Sequence, residues 1–454
     1  METENFKTVG IIAEYNPFHC GHAYHIQKAR EITGADYVIA AMSGDFVQRG
    51  TPAVFDKYTR AQMALLCGVD LVLELPNAFA TSSAEDFAAA GVALLDKLGV
   101  VSSLCFGSEY GQTDVLVSLA ERLLEEREED SVALKRCLAS GMSFPAAREK
   151  VYGALSPSSM DWNSPNNILG IEYCRAILKR HSSIRPITIR REGMGYHETA
   201  NDGEGMPESL THTNTENQKT FWSATAIRQA LKKMELSGLD LGNTESNSNR
   251  STMEPKFDPS AIPPAVLPLL LSGKPLYPDD ISSALNYALL TLSKEGRDFS
   301  SYLDVSKELG QRLTHILLSP ASFEERIFQL KTRQYTYTRI SRALLHILLG
   351  ITDADTARWK QEAVDYVPYA RILGFKKTAL PLLKSIRAHA KIPLITQVKR
   401  EIEGISKDGM TLLQQDIYAS HLYQALLASK YQIPAKNEYQ AGHHLLGYES
   451  NTSI

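Results

Sequence analysis

Apolar residues follow two different rhythms along the chain. Up to about residue 191, short apolar runs alternate with amphipathic or alanine-rich stretches. The runs are TVGIIAEY (8–15), DYVIAAMS (36–43), VDLVLELP (69–76), SLCFGSE (103–109) and RPITIRR (185–191), and the stretches between them include His22 to Thr33, Ala84 to Leu98 and Asn167 to His181. Runs of this length bounded by turn residues predict strands, and strands alternating with helices predict a parallel α/β sheet with right-handed crossovers. From Leu236 to about Pro264 the pattern stops, and GNTESNSNRSTMEPKFDPS carries no apolar period, as in a flexible linker. Beyond it ISSALNYALLTL, LGQRLTHILLS, TRISRALLHILLGI and TLLQQDIYASHLYQALLAS repeat at helical spacing. The predicted organisation is therefore an α/β unit over 1–235, a linker over 236–264 and a mostly α-helical domain over 265–454.

Composition places the chain among folded globular proteins. Hydrophobic residues make up 43% and charged ones 22%, too apolar for a disordered chain. No apolar run approaches the roughly 20 residues of a membrane-spanning helix, and Met1 to Lys7 lacks the pattern of a secretory signal, so a cytoplasmic protein with no membrane partner is expected. Five scattered cysteines with no C-x-x-C pair point to reduced thiols rather than a disulfide framework or a zinc site. The net charge of −4 conceals an asymmetry: Phe323 to Arg400 holds 15 Lys and Arg against 6 Asp and Glu. That segment is suited to a polyanion and the remainder is not.

The first candidate chemistry lies where the first strand gives way to the first helix, in EYNPFHCGHAYH (14–25). The carboxyl end of a parallel strand is where open α/β sheets bind ligands, and a helix beginning near His22 would offer free N–H groups and a positive dipole end to a phosphate. Gly21 allows close backbone approach, and His19 and His22 would flank the phosphate as donors without carrying permanent charge. The plainer reading is that the two imidazoles cap the helix. Zinc is disfavoured, because His19, His22 and His25 lack a carboxylate or thiolate partner at a familiar spacing. A second candidate, FWSATAIRQALKKM (221–234), offers Ser223 or Thr225 as an N-cap and Arg228 in the first turns of a helix, a convergence of donors suited to phosphate oxygens.

NPFHCGH followed by WSATAIR resembles the paired signatures of the nucleotidylyltransferase superfamily. More closely, VGIIAEYNPFHCGHAYH, MSGDFVQRGTPAVFDKYTRAQMAL, GVDLVLELP, FGSE, SPNNILGIEY and RREGMGYH resemble the bacterial tRNA(Met) cytidine acetate ligases, with RQYTYTRISRALLHILLGI a looser match in the helical half. The resemblance implies a Rossmann-like sheet and an enzyme that joins acetate to ATP as acetyl-adenylate. It then passes the acetyl group to N4 of the wobble cytidine, position 34, of elongator tRNA(Met). ATP would be a substrate, accompanied by Mg2+, and DNA is not an expected partner.

The same resemblance implies which residues hold ATP. They are the loop Ile12, Ala13, Glu14, Tyr15, Asn16, Pro17, Phe18, His19, Cys20, Gly21, His22, Ala23, Tyr24 and His25, with His19 and His22 steadying charge on the departing pyrophosphate. Gly107, Asn166, Arg191, Ser223, Thr225 and Arg228 complete the set, with Asn167 and Arg190 open as alternatives to their neighbours. Cys20 stands where the family pattern favours a polar residue such as asparagine. Asp45, Gln48 and Arg49 border the same crevice, as closing groups or as a polar surface loop. Lys57 and Arg60 read as phosphate or RNA contacts, or more simply as a solvated helix face.

For the RNA, KTRQYTYTRISR (331–342) interleaves Lys331, Arg333, Arg339 and Arg342 with Tyr335 and Tyr337, cations for phosphates and rings to stack on a splayed base. Lys376, Lys377, Lys384 and Lys399 extend that surface. Two alternatives share these features in part. One is a cofactor-forming adenylyltransferase, which would have no use for a large basic helical half. The other is a non-catalytic RNA-binding protein on the same scaffold.

Overall fold

A computed structural model describes residues 6–125, 127–142, 144–153, 160–162, 164–191, 222–236, 259–319, 321–332, 334–399, 401–440 and 444–446. Its strands are β1 (Thr8–Ala13), β2 (Tyr37–Ser43), β3 (Phe46–Val47), β4 (Thr51–Pro52), β5 (Leu71–Leu75), β6 (Ser103–Ser108), β7 (Arg185–Arg190), β8 (Ala370–Lys376), β9 (Leu394–Ile395) and β10 (His444–Leu446). Strands β5, β2, β1, β6 and β7 lie side by side in that order and all parallel, which fulfils the five-strand reading of the first half. The expected helices are present too, among them Cys20–Thr33, Ala84–Lys97 and Pro165–Lys179.

Period-two alternation sends each strand into two cores, as a sheet covered on both faces requires. From β2, Val38, Ala40 and Met42 join Val9, Ile11, Ile26 and Ala64, whereas Ile39 and Ala41 join Leu71, Leu73, Leu94 and Leu104. Helix Cys20–Thr33 therefore covers one face and helix Ala84–Lys97 the other. The latter starts where Ser83 accepts the Asp86 amide, with Glu85 and Asp86 against the positive end of the helix dipole.

The second half is mostly helical, as read, but it also returns strands to the first sheet. Strand β8 pairs antiparallel with β5, placing Glu74 opposite Arg371 and Leu71 opposite Phe375, and β9 and β10 pair with β8. The linker reading needs amendment at its end. Residues 237–258 lie outside the described residues, but Ala261 and Ile262 are buried, Ile262 in the same core as Val9, and the Cys20 thiol donates to the Ser260 carbonyl at 3.3 Å.

Lys57 and Arg60 overturn the solvated-face reading, for both are fully buried. The Lys57 ammonium lies 2.8 Å from Glu74 and 3.2 Å from Glu438, and Arg371 pairs with the same two carboxylates. Asp45 accepts the Lys57 amide and the Ser420 hydroxyl, each within hydrogen-bond distance. The Arg60 guanidinium is spent on the carbonyls of Phe55, Glu14, Ser43 and Gly44. Lys57 and Asp45 thus fasten the two halves together, Arg60 ties the first half to itself, and none of the three is available to a phosphate.

Candidate nucleotide site at the carboxyl end of the sheet

The loop after β1 is built on an inward-facing frame. Tyr15 and Phe18 are buried beside Val9, and Ile12 fills the space over Gly91. Asn16 accepts the Val54 amide at 2.8 Å through Oδ1, while its carbonyl accepts Arg228 Nη1 at 2.6 Å. Glu14 accepts the Gln48 amide at 2.7 Å. These residues hold the loop in place, and its polar rim is left to His19, Gly21 and His22.

His19 is the N-cap of the helix, which begins at Cys20, two residues earlier than the sequence predicts. Its Nδ1 accepts the Gly21 amide at 3.0 Å, and His22 Nδ1 accepts the His19 amide at 3.3 Å, a capping box built from two imidazoles. The amides of His22 and Ala23 go to the His19 carbonyl. The expectation of free helix-end amides is thus corrected, since those of His19, Gly21 and His22 are already occupied. The imidazoles take their place: an Nδ1 that accepts from an amide carries no proton, so in the neutral ring the hydrogen resides on Nε2. Capping, the plainer of the two sequence readings, is what the geometry shows, and it leaves Nε2 of each ring to carry the proton.

Electrostatics keeps these rings neutral. His19 is pushed down to about 3 by burial, then by the Arg191 and Arg228 guanidiniums. His22 falls well below the usual imidazole range through burial, then through His19, Arg191 and His25. His25, one turn on, is pushed down to about 4 by burial and Arg191, against a hydrogen bond to the Phe106 carbonyl. The two rings stack with centroids 3.8 Å apart. Fixed positive charge at the site comes from the two arginines.

Helix Ala224–Leu236 brings Arg228 to the loop because Ile227 and Leu231 are buried in the core beneath β1. Ser223 accepts the Ala226 amide at 3.2 Å, and Arg228 Nη2 donates to Thr225 Oγ1 at 2.9 Å. Arg191 follows β7, its amide held by the Ser108 carbonyl at 2.9 Å, and crosses Gly107, where a Cβ would lie 3.2 Å from its Cγ. Its neighbour Arg190 packs over Gly111 instead. The two asparagines also differ: buried Asn167 accepts the Tyr110 amide and donates to Glu109 and the Asp161 carbonyl, whereas half-buried Asn166 donates to Glu109 through Nδ2. The histidines, Arg191 and Arg228 therefore share one region.

Other sequence candidates fall elsewhere. Arg333, Phe221 and the RREGMGYH motif from Glu192 onward lie outside the described residues. Tyr335, proposed to stack on a base, is buried, with its hydroxyl 2.5 Å from Ser306 Oγ and the Arg339 guanidinium over its ring. Arg342 is held by Asp304 at 2.8 Å, and Lys331 is exposed at the end of helix Phe323–Leu330. Lys376 sits 3.8 Å from Asp70, and helix Leu380–His389, which carries Lys384, runs from near Tyr37 to near Gly99. These residues mark the amino ends of the parallel strands, opposite the histidine loop. Lys399 is exposed beyond β9. Arg60 and Glu109, which brace the site, were not assigned that part from sequence. Each acts through partners far along the chain.

Among the described residues no cluster of three or more His, Cys, Asp or Glu side chains is arranged to hold a metal ion, and no helix is long and apolar enough to cross a membrane. The signature of the family described as HIGH Nucleotidyl Transferase matches residues 6–438. The tRNA(Met) cytidine acetate ligase of Clostridium acetobutylicum is 39% identical over 428 residues, covering 92% of this chain and 95% of the relative. That of Clostridium tetani is 36% identical over 429 residues at the same coverage. The Thermotoga maritima TmcAL crystal structure bound with alpha-thio ATP superposes with a TM-score of 0.78 at 28% identity, covering 97% of this chain and 99% of that one.

Proposed function

The chain belongs to the HIGH nucleotidyl transferases and within them to the tRNA(Met) cytidine acetate ligases, and from that premise we propose the course of its reaction. It is an ATP-using ligase that acetylates a tRNA cytidine. ATP lies with its phosphates against His19, His22, Arg191 and Arg228 and its nucleoside toward Gly107 and Asn166. A carboxylate oxygen of acetate attacks the α-phosphorus, the bond to the β-phosphate oxygen breaks, and pyrophosphate leaves. The product is acetyl-adenylate, a mixed anhydride. The N4 amine of the wobble cytidine, position 34 of elongator tRNA(Met), then attacks the acetyl carbonyl. AMP departs with the anhydride oxygen, and the amine loses a proton to solvent.

The protein's contribution is placement and charge compensation. Neutral imidazoles donate through Nε2 to pyrophosphate oxygens as charge accumulates there, and the two guanidiniums supply the fixed positive charge. Mg2+ accompanying ATP would supply further charge neutralisation on the triphosphate, and among the described residues no cluster of His, Cys, Asp or Glu is arranged to hold it. Residues 1–235 carry the adenylation chemistry and 265–454 engage the tRNA, in the cytoplasm where tRNA is modified.

The observation that supports this reading is the convergence of the histidine cap, Arg191 and Arg228 at the carboxyl end of β1. Its test is incubation with ATP, acetate and total tRNA, followed by nucleoside analysis. N4-acetylcytidine with AMP and diphosphate in equal amounts is the expected result. Acetate-independent ATP turnover, or unmodified tRNA, would overturn it.

A further inference from the structure

The turn that follows β6 carries a carboxylate, Glu109, that takes no part in the chemistry above. It stands one residue beyond the strand and two from Gly107, at the carboxyl end of the sheet where Arg191 also crosses. Both of its oxygens are engaged by the start of helix Pro165–Lys179. Oε1 accepts Asn166 Nδ2, and Oε2 accepts the Asn167 amide at 3.1 Å. The Asn167 side chain secures the same junction, its Oδ1 accepting the Tyr110 amide at 3.0 Å and its Nδ2 donating to the Asp161 carbonyl at 2.9 Å. The turn and the helix start are thereby stitched together, with Glu109 against the positive end of the helix dipole.

That carboxylate decides which way the Asn166 amide faces. An amide group has one donating and one accepting end, and a carboxylate only accepts, so Nδ2 turns to Glu109 and the carbonyl Oδ1 turns away. Asn166 is half-buried, and among the described residues no donor meets its Oδ1. We infer that Glu109 is a positioning residue for nucleotide selection. It locks Asn166 so that Oδ1 accepts an N–H or O–H of the nucleoside, the exocyclic amine of adenine or a ribose hydroxyl; the inference rests on the nucleoside placement proposed above. Charge agrees with that placement, since a carboxylate repels phosphates while the guanidiniums of Arg191 and Arg228 attract them. The uncharged part of ATP belongs beside Glu109. A base with a carbonyl in place of the amine would set acceptor against acceptor, and a ribose without the hydroxyl would leave Oδ1 unpaired.

Acetate-dependent exchange of labelled pyrophosphate, run on the full-length protein with ATP, inosine triphosphate, 2′-deoxy-ATP and 3′-deoxy-ATP, tests the inference and separates the two donors. Wild type should show a KM roughly fivefold higher for at least one analogue, the scale of a single hydrogen bond. Inosine triphosphate is the disfavoured one if the amine is the partner, and a deoxynucleotide if a hydroxyl is. Asn166→Ala should erase that preference. Glu109→Gln sets a second amide against Asn166 and frees it to turn, so the KM values for ATP and the disfavoured analogue should come within about twofold of each other. Added to Asn166→Ala, Glu109→Gln should change KM by less than about twofold, as expected of a group acting through its neighbour. If the melting temperature shows Glu109→Gln to be unfolded, Asn166→Ala must still erase the preference, or the inference falls. It falls if folded Glu109→Gln keeps the wild-type preference, if it raises every KM alike, as a loosened helix start would, or if wild type prefers none of the four nucleotides. Wild type without exchange would instead overturn the ligase reading, and Asn166→Ala with the wild-type KM for ATP would overturn the nucleoside placement.

Discussion

His19 Nδ1 stands 3.0 Å from the main-chain nitrogen of Gly21, and there it can only accept. One ring atom thus secures the helix start while the opposite atom keeps the proton. Asparagine reproduces the accepting oxygen near the Nδ1 position and has nothing at the distance of Nε2. We expect His19→Asn and His22→Asn to melt within a few degrees of wild type while acetate-dependent pyrophosphate exchange falls by roughly 100-fold, the scale of losing one positioned donor. Alanine at either position should lower both, with the missing cap contributing about 1 kcal/mol. Equal exchange rates for the Asn variant and wild type would show that Nε2 takes no part.

Gly107 and the two arginines at the end of β7 make a second comparison. A methyl at Gly107 meets the Arg191 stem at 3.2 Å and should displace it, so Gly107→Ala and Arg191→Ala are expected to raise the ATP KM by severalfold or more. Arg190→Ala, altering a side chain packed over Gly111, should leave ATP affinity near wild type. Titration of each variant with ATP checks the order.

The asparagine pair should divide into stability and binding. Asn167 is buried and its side chain bonds the Tyr110 amide and the Asp161 carbonyl, so Asn167→Ala should cost about 2 kcal/mol or more through unsatisfied partners, measured by denaturant unfolding. Asn166→Ala should unfold near wild type and bind ATP less well.

Acid should weaken the fold through the histidines. Their folded values lie below the ordinary 6.5, so the unfolded chain takes up protons first as pH falls. The stability they confer is complete above about pH 6.5 and declines below it at about 1.4 kcal/mol per pH unit for each ring until the folded rings also titrate. Asp45 and Asp416, raised to about 6 and about 7 chiefly by burial, act in the opposite sense over part of that range. Unfolding free energies of wild type and a His19→Asn, His22→Asn double variant between pH 7 and pH 4 should diverge, the double variant declining less. Parallel curves would contradict the neutral-ring assignment.

Much of the first half was legible because strands and helices there differ in period and the turns between them are short. Strand β8 was not. ARILGFK is a single apolar run amid helical segments, and its partner β5 lies some 300 residues earlier, so nothing local marks it as a strand. Lys57 and Arg60 sit in what looks like a polar helix face, and only Glu74, Glu438 and a set of backbone carbonyls, distant in sequence, make their burial tolerable. Tyr335 shows the converse, a residue with the right chemistry for RNA turned inward to hold Ser306 and carry Arg339. The histidines were found because their spacing is local. Their tautomer was not, because it depends on which amide each ring meets.

Strand β8 also governs how the molecule is made. Until residue 376 has been synthesised, the outer margin of β5 has no neighbour, and Lys57 and Glu74 wait beside it without Arg371 or Glu438. A nascent or truncated first half would carry a naked hydrogen-bonding margin ready to recruit other chains. The nucleotide fold and the helical half are therefore obligate companions, and the enzyme matures only when its latest segments seal its earliest ones.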